Sequence, residues 1–120
     1  MPNKENWPPE NGDLTHLIER LDAFEERENV RFEALSARIV LNLNWLKVCG
    51  EIHARDGLII ARALKVVVTV YDAQGKILDI GHAFFKPETF YGFEAFDVTF
   101  YSISIVEPIA KIRLYPQPSK

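Results

Sequence analysis

The chain predicts a mainly β protein, a β-sandwich with an amphipathic α-helix on its N-terminal side, and three observations lead there. From about Arg38 onward, apolar and polar residues alternate in short runs separated by turn residues. Before that point Leu14, Leu17, Ile18, Leu21 and Phe24 recur at spacings of three and four, the period of one helical face. Charge divides in the same region: residues 1–35 hold 4 basic and 9 acidic side chains, residues 36–120 hold 10 and 8. With 120 residues, 48% of them hydrophobic, one core can form without a metal or a disulfide. The expected organisation is a flexible arm over 1–12, a helix over 13–35 and a sandwich domain over 36–120.

The arm is rich in proline and asparagine and poor in apolar residues, so it cannot offset its own ordering entropy. Trp7 beside Pro8-Pro9 is its one exception, read as an incidental tail residue or a short anchor. Asp13 or Thr15 is expected to cap the helix, because either side-chain oxygen can accept from an N–H of the first turn. The apolar stripe of Leu14, Leu17, Ile18, Leu21 and Phe24 needs a partner. Since the downstream domain looks nearly self-sufficient, that partner is expected to be the same helix of a second copy, giving a homo-oligomer. Packing on its own domain is the alternative. Glu28 and Arg31 interrupt the heptad before Phe32 and Leu35 resume it, which argues against a long two-stranded coiled coil.

In the sandwich, Ile39, Leu41, Leu43 and Trp45 share one parity, and Leu46, Val48 and Ile52 the other, so a bulge or break is required near Trp45-Leu46. Arg55-Asp56-Gly57 supplies a turn. Leu64 to Asp72 is the clearest strand, with Leu64, Val66, Val68 and Val70 pointing one way. Asp72-Ala73-Gln74-Gly75 reads as a hairpin connection into a strand over Ile77–Phe85 whose inward set is Leu78, Ile80 and Phe84. Further strands follow around Phe96, Val98 and Phe100 and over Ile109–Tyr115, before Pro116 and Pro118.

The run Val68-Thr69-Val70-Tyr71-Asp72, followed by Ala73-Gln74-Gly75-Lys76-Ile77-Leu78, resembles the signature of the FxLYD domain, a small bacterial and archaeal immunoglobulin-like module. Val48-Cys49-Gly50-Glu51-Ile52 is similar to that family's valine-x-glycine-x-valine strand, and Gly92-Phe93-Glu94-Ala95-Phe96-Asp97-Val98 to its glycine-glutamate-phenylalanine segment. The resemblance spans about residues 46–104 and excludes the helix. Val68 stands where the family has phenylalanine, and Tyr91 precedes Gly92 where a proline is usual. The resemblance implies an immunoglobulin-like antiparallel β-sandwich, used as an accessory or interaction module and carrying no defined catalytic residues.

A formal net charge of −3 offers no electrostatic footprint for a phosphate backbone, so nucleic acid is not an expected partner. No apolar run approaches the ~18 residues of a membrane span, and no signal-like start is present, which makes the cytoplasm the default location. The single Cys49 cannot form an intrachain disulfide. Cys49 and His53, four apart on a strand, share a face but stand ~13 Å apart, too far for a nucleophile and its base. His53 and His82 with Asp56 or Asp79 show no spacing that specifies a metal. The expectation is therefore no enzyme, no metal and no cofactor.

Aromatic crowding is the most unusual feature: 8 of the 14 aromatic residues fall within 84–101. Phe84, Phe96 and Phe100 are assigned to the core by alternation, but Phe90, Tyr91 and Phe93 fall in a connection. Either this loop plugs an open end of the sandwich, or its rings anchor a protein partner. A small ligand held beneath the same loop is the alternative function.

Overall fold

A computed structural model describes residues 7–103 and 108–119. Its strands are β1 (Ile18–Arg20), β2 (Val30–Val40), β3 (Trp45–Ala54), β4 (Leu64–Asp72), β5 (Ile77–Phe85), β6 (Phe93–Phe100) and β7 (Ile109–Pro118), with one helix, α1 (Asp22–Glu28). They form a four-stranded sheet in the order β1-β7-β4-β5 and a three-stranded sheet in the order β2-β3-β6. All pairings are antiparallel except β1 with β7. One core fills the space between the sheets, drawn from Phe32, Ile39, Val48, Ile52 and Phe96 on one side and Val66, Val68, Val70, Ile112 and Leu114 on the other. This is the layering of a β-sandwich. No helix among the described residues is long and apolar enough to cross a membrane.

The long N-terminal helix does not form. Residues 13–35 instead make a 3-10 turn at Thr15–Leu17, then β1, then the seven-residue α1, then the first part of β2. The expected self-association face is accordingly dismantled. Leu14 is fully buried in the core, Leu17 and Ile18 pack against that core, Leu21 precedes α1, and Phe24 sets its ring edge-on to Tyr115 at 5.2 Å. The physical reason lies at Val30-Arg31-Phe32: its alternation belongs to a strand whose buried residues Val30 and Phe32 face the core. The apparent heptad skip at Glu28 and Arg31 is the boundary between helix and strand, closed by Asn29 in the left-handed region at φ 57°.

Residues 7–12 also depart from the flexible-arm expectation, while residues 1–6 lie outside the described residues. Trp7 packs against the core. Gly12 accepts from Ile39 N–H at 2.8 Å and sits at φ 73°, where a Cβ would collide with the Ile39 carbonyl oxygen. Leu14 N–H then donates to Ala37 at 2.8 Å, so residues 12–15 run as a strap along the outer edge of β2. Asp13 caps no α-helix; its carboxylate accepts from Thr15 N–H at 3.0 Å.

Two buried glutamates hold α1. Glu25 is fully buried and accepts from Arg20 Nε at 3.0 Å, Arg20 Nη2 at 2.6 Å and Phe32 N–H at 3.0 Å. Glu28 accepts from Arg62 Nε and Nη2 at 3.1 and 2.9 Å and from Arg27 Nε at 3.0 Å. Burial pushes the Glu28 carboxyl up, but the hydrogen bonds from Arg62 and Arg27 outweigh it and hold the group below its ordinary 4.5. A carboxyl lowered in the folded state contributes stability above the unfolded value and loses it as pH falls through the folded one. Thermal melts between about pH 3 and 7 should therefore show wild type more stable than Glu28→Gln at neutral pH, with the gap closing below 4.5. A gap independent of pH would contradict this role.

The downstream strands follow the sequence more closely. β4 has the expected bounds, and Leu64, Val66, Val68 and Val70 are buried. Asp72 Oδ1 accepts from Gln74 and Lys76 N–H, each at 2.9 Å, closing the β4–β5 hairpin. The parity flip near Trp45 is resolved by a turn at 41–44 that exposes Leu41 and Leu43. On β5 the expected inward set is wrong for two of its three members. Ile80 and Phe84 face solvent, whereas Phe85 is buried opposite Leu64. A register shift between Val70 and Tyr71 changes the phase, leaving Leu78 packed on the core.

Candidate functional site: an apolar cluster on two loops

The connection from β3 to β4 and the connection from β5 to β6 meet at one end of the sandwich. Gly92 N–H donates to the Leu58 carbonyl at 2.7 Å, and Ala54 N–H donates to the Gly92 carbonyl at 2.9 Å. Gly92 takes φ 87°, a conformation that favours glycine, and a Cβ there would press on Leu58 Cδ2 at 3.2 Å. The β3–β4 loop is held from its other side as well. Arg55 N–H donates to the Asn29 carbonyl at 3.1 Å, Arg55 Nε to the Val30 carbonyl at 2.7 Å, and Asn29 Nδ2 to Asp56 at 3.0 Å.

Each loop sends one side chain inward and its neighbours outward. Ile60 and Phe90 are buried in the core. Leu58, Ile59, Tyr91 and Phe93 are 63%, 68%, 76% and 52% exposed. Four large apolar side chains thus stand in solvent at this end, three on loops pinned to each other and Phe93 at the start of β6. Scattered surface hydrophobics are ordinary, whereas apolar groups gathered on one part of a surface more often belong to contact surfaces.

The three aromatic residues expected to act together are therefore divided. Phe90 is no surface anchor: its side chain is 1% exposed and belongs to the core. Tyr91 and Phe93 are outside, and Phe93 stacks on the His53 imidazole at 5.2 Å. Leu58 and Ile59 are members that sequence reading missed. Their signal was present as an apolar triplet directly after the Gly57 turn, a place where a loop gains nothing from hydrophobicity unless something covers it.

The surroundings are polar and already paired. His53 Nε2 lies 2.9 Å from Glu51 Oε1 and 4.0 Å from Glu33 Oε1. The Arg31 guanidinium pairs with Glu33 and holds that carboxyl below the usual range. Beside Ile59, a cleft of about 220 Å³ is lined by Glu28, Asn29, Asp56, Ile59, Ile60 and Ala61. Its Glu28 carboxylate is occupied by Arg62 and Arg27.

Cys49 sits away from this end on the outer face of β3, opposite Ser36 and Asp97, while His53 is opposite Arg31 and Phe93. Burial pushes the Cys49 thiol up, the direction opposite to an activated nucleophile. Among the described residues no three His, Cys, Asp or Glu side chains are grouped to hold a metal.

No family model, curated protein or solved structure matches the chain.

Proposed function

We propose that this chain is a non-enzymatic protein-interaction module of immunoglobulin-like type, working in the cytoplasm and binding a protein partner through Leu58, Ile59, Tyr91 and Phe93. The observation that carries the reading is the exposure of those four side chains on two loops hydrogen-bonded to each other and on the first residue of β6. Rigid aromatics on fixed loops present contact area at little entropic cost, and such anchors dominate protein interfaces. The immunoglobulin-like part of this reading draws support from the strand pairing: β3 pairs β6 and β4 pairs β7, each strand with the one three places on, across two sheets. The FxLYD-like run Val68–Asp72 forms the end of β4, where the hairpin begins.

A small-ligand carrier is the weaker reading, because Phe90 is buried among core residues instead of being available to a ligand. Site-specific photo-crosslinking in cells that naturally make the chain separates the possibilities. A photoreactive residue at position 91 should give a discrete protein adduct that Ile59→Ser and Phe93→Ser each abolish. A probe at position 43, in the turn at the opposite end, should not. Adducts formed equally from both ends, or none from position 91, would overturn the assignment. Ile59→Ala should weaken the contact by about tenfold or more.

A further inference from the structure

A second surface, separate from the loop cluster, lies along the free edge of β5. The four-stranded sheet ends at β5, and among the described residues no strand pairs with it beyond β4. A free edge is a template for another strand, and proteins usually shield it by shortness, bulges, charge or cover. The other edges here are shielded. β1 has three residues. β2 is broken by a register shift between Glu33 and Ser36, with Ala34 at φ 56°, and is covered by the strap of residues 12–15. β6 carries Glu94 and Asp97.

β5 has none of these protections over most of its length. It is nine residues long, without proline, and Asp79 is its one charge. That carboxylate accepts from Ile80 N–H at 2.8 Å and keeps its charge, but it stands at one end of the regular run. From Asp79 to Phe85 the register with β4 is unbroken. The solvent face of this run is Ile80, His82 and Phe84, with Ile80 47% and Phe84 64% exposed and the rings of His82 and Phe84 stacked at 6.0 Å.

We propose that β5 pairs antiparallel with β5 of a second copy about a two-fold axis at His82, joining two four-stranded sheets into one of eight. The register follows from the strand. His82 is the midpoint of the regular run Asp79–Phe85. Centring there sets Ile80 opposite Phe84 of the other copy, twice over, and places no like charges opposite each other. Centring on Gly81 would oppose Lys76 with Lys86, and centring on Ile80 would draw the irregular segment at Leu78 into the ladder. This self-complementarity in shape and charge selects a second copy over an unrelated strand. A single strand pair is a small interface, so the dimer belongs to the weak class, with a dissociation constant on the order of tens of micromolar.

Sedimentation velocity of the full chain over a concentration series from about 1 to 500 µM tests this, bracketing that constant. The wild type should convert from monomer to dimer. His82→Lys, which sets two ammonium groups together at the axis, should raise the dissociation constant tenfold or more, and Ile80→Lys should do the same should the first variant fold poorly. Ile59→Ser, in the loop cluster, should leave dimerisation unchanged. In a Cys49→Ser background, His82→Cys should form an intermolecular disulfide on mild oxidation, because facing residues of antiparallel strands lie within disulfide range. Leu43→Cys should not. A monomer at every concentration, a dimer indifferent to both lysine variants, or crosslinking as efficient from position 43 as from 82 would overturn the proposal.

Discussion

Replacing Arg20 with Ala should destabilise the chain by about 3–5 kcal/mol, the range seen when one partner of a buried ion pair is removed. The asymmetry of the pair sets that size. The Glu25 side chain is 1% exposed and Arg20 43%, so the substitution leaves a carboxylate inside the protein while the lost cation was half in water. Arg20 Nη2 also donates to the Phe32 carbonyl at 2.8 Å, so the same change loosens β2 from β1. Arg20→Lys should recover only part of the loss, because an ammonium cannot reproduce the two-nitrogen grip on Glu25. Glu25→Gln should be milder than Arg20→Ala, since it removes the buried charge and keeps an acceptor for Phe32 N–H. Urea unfolding followed by circular dichroism gives all three values. An Arg20→Ala loss below about 1 kcal/mol would reduce the clamp to an ordinary surface pair.

Phe90→Ala should cost a similar ~3–5 kcal/mol, through lost burial and the cavity left behind. Its neighbour provides the internal control. Tyr91 is 76% exposed and Phe90 1%, so Tyr91→Ala should fall within about 0.5 kcal/mol of wild type. The two adjacent substitutions thus separate an inward plug from an outward contact. Phe90→Ala should also speed proteolytic cleavage within the β5–β6 connection, because the ring is what seats that loop on the core. Equal effects at 90 and 91 would show that the loop does not divide its residues between core and solvent.

The sandwich was legible where one face of a strand is buried and the turn chemistry is strong. Leu64–Asp72 and its Asp72–Gly75 turn are such a case: β-branched residues repeat at period two, and the aspartate has one geometry to adopt. The N-terminal third was not legible, because its apolar spacing fits two structures. Leu14, Leu17, Ile18, Leu21 and Phe24 satisfy a helical period, yet they are distributed over a 3-10 turn, a three-residue strand and a short helix that each meet a different part of the core. Long-range partners decide among these, and Arg113 pairing with Glu19 across 94 residues is invisible to any local window. β5 failed for a smaller reason. One register shift reverses which side chains point inward, so Phe84 and Phe85 exchange roles without any change in composition. The candidate site was half visible: the aromatic loop was conspicuous, but its pairing with Leu58 and Ile59 depends on a backbone hydrogen bond to Gly92.

The parallel pairing of β1 with β7 gives this domain a direction of mechanical strength. The residues preceding β1 and those following β7 leave the pair toward opposite ends of the sandwich, since the strands run the same way. Tension applied through those two segments acts along the strand axis, loading the bonds that join Ile18, Glu19 and Arg20 to Ile112, Arg113 and Leu114 all at once. A hairpin such as β4–β5 pulled from its ends would instead open one bond at a time. The Glu19 to Arg113 contact at 2.7 Å lies at the middle of that loaded set. Under such a load β1 would have to slide along β7 and could not peel away from it.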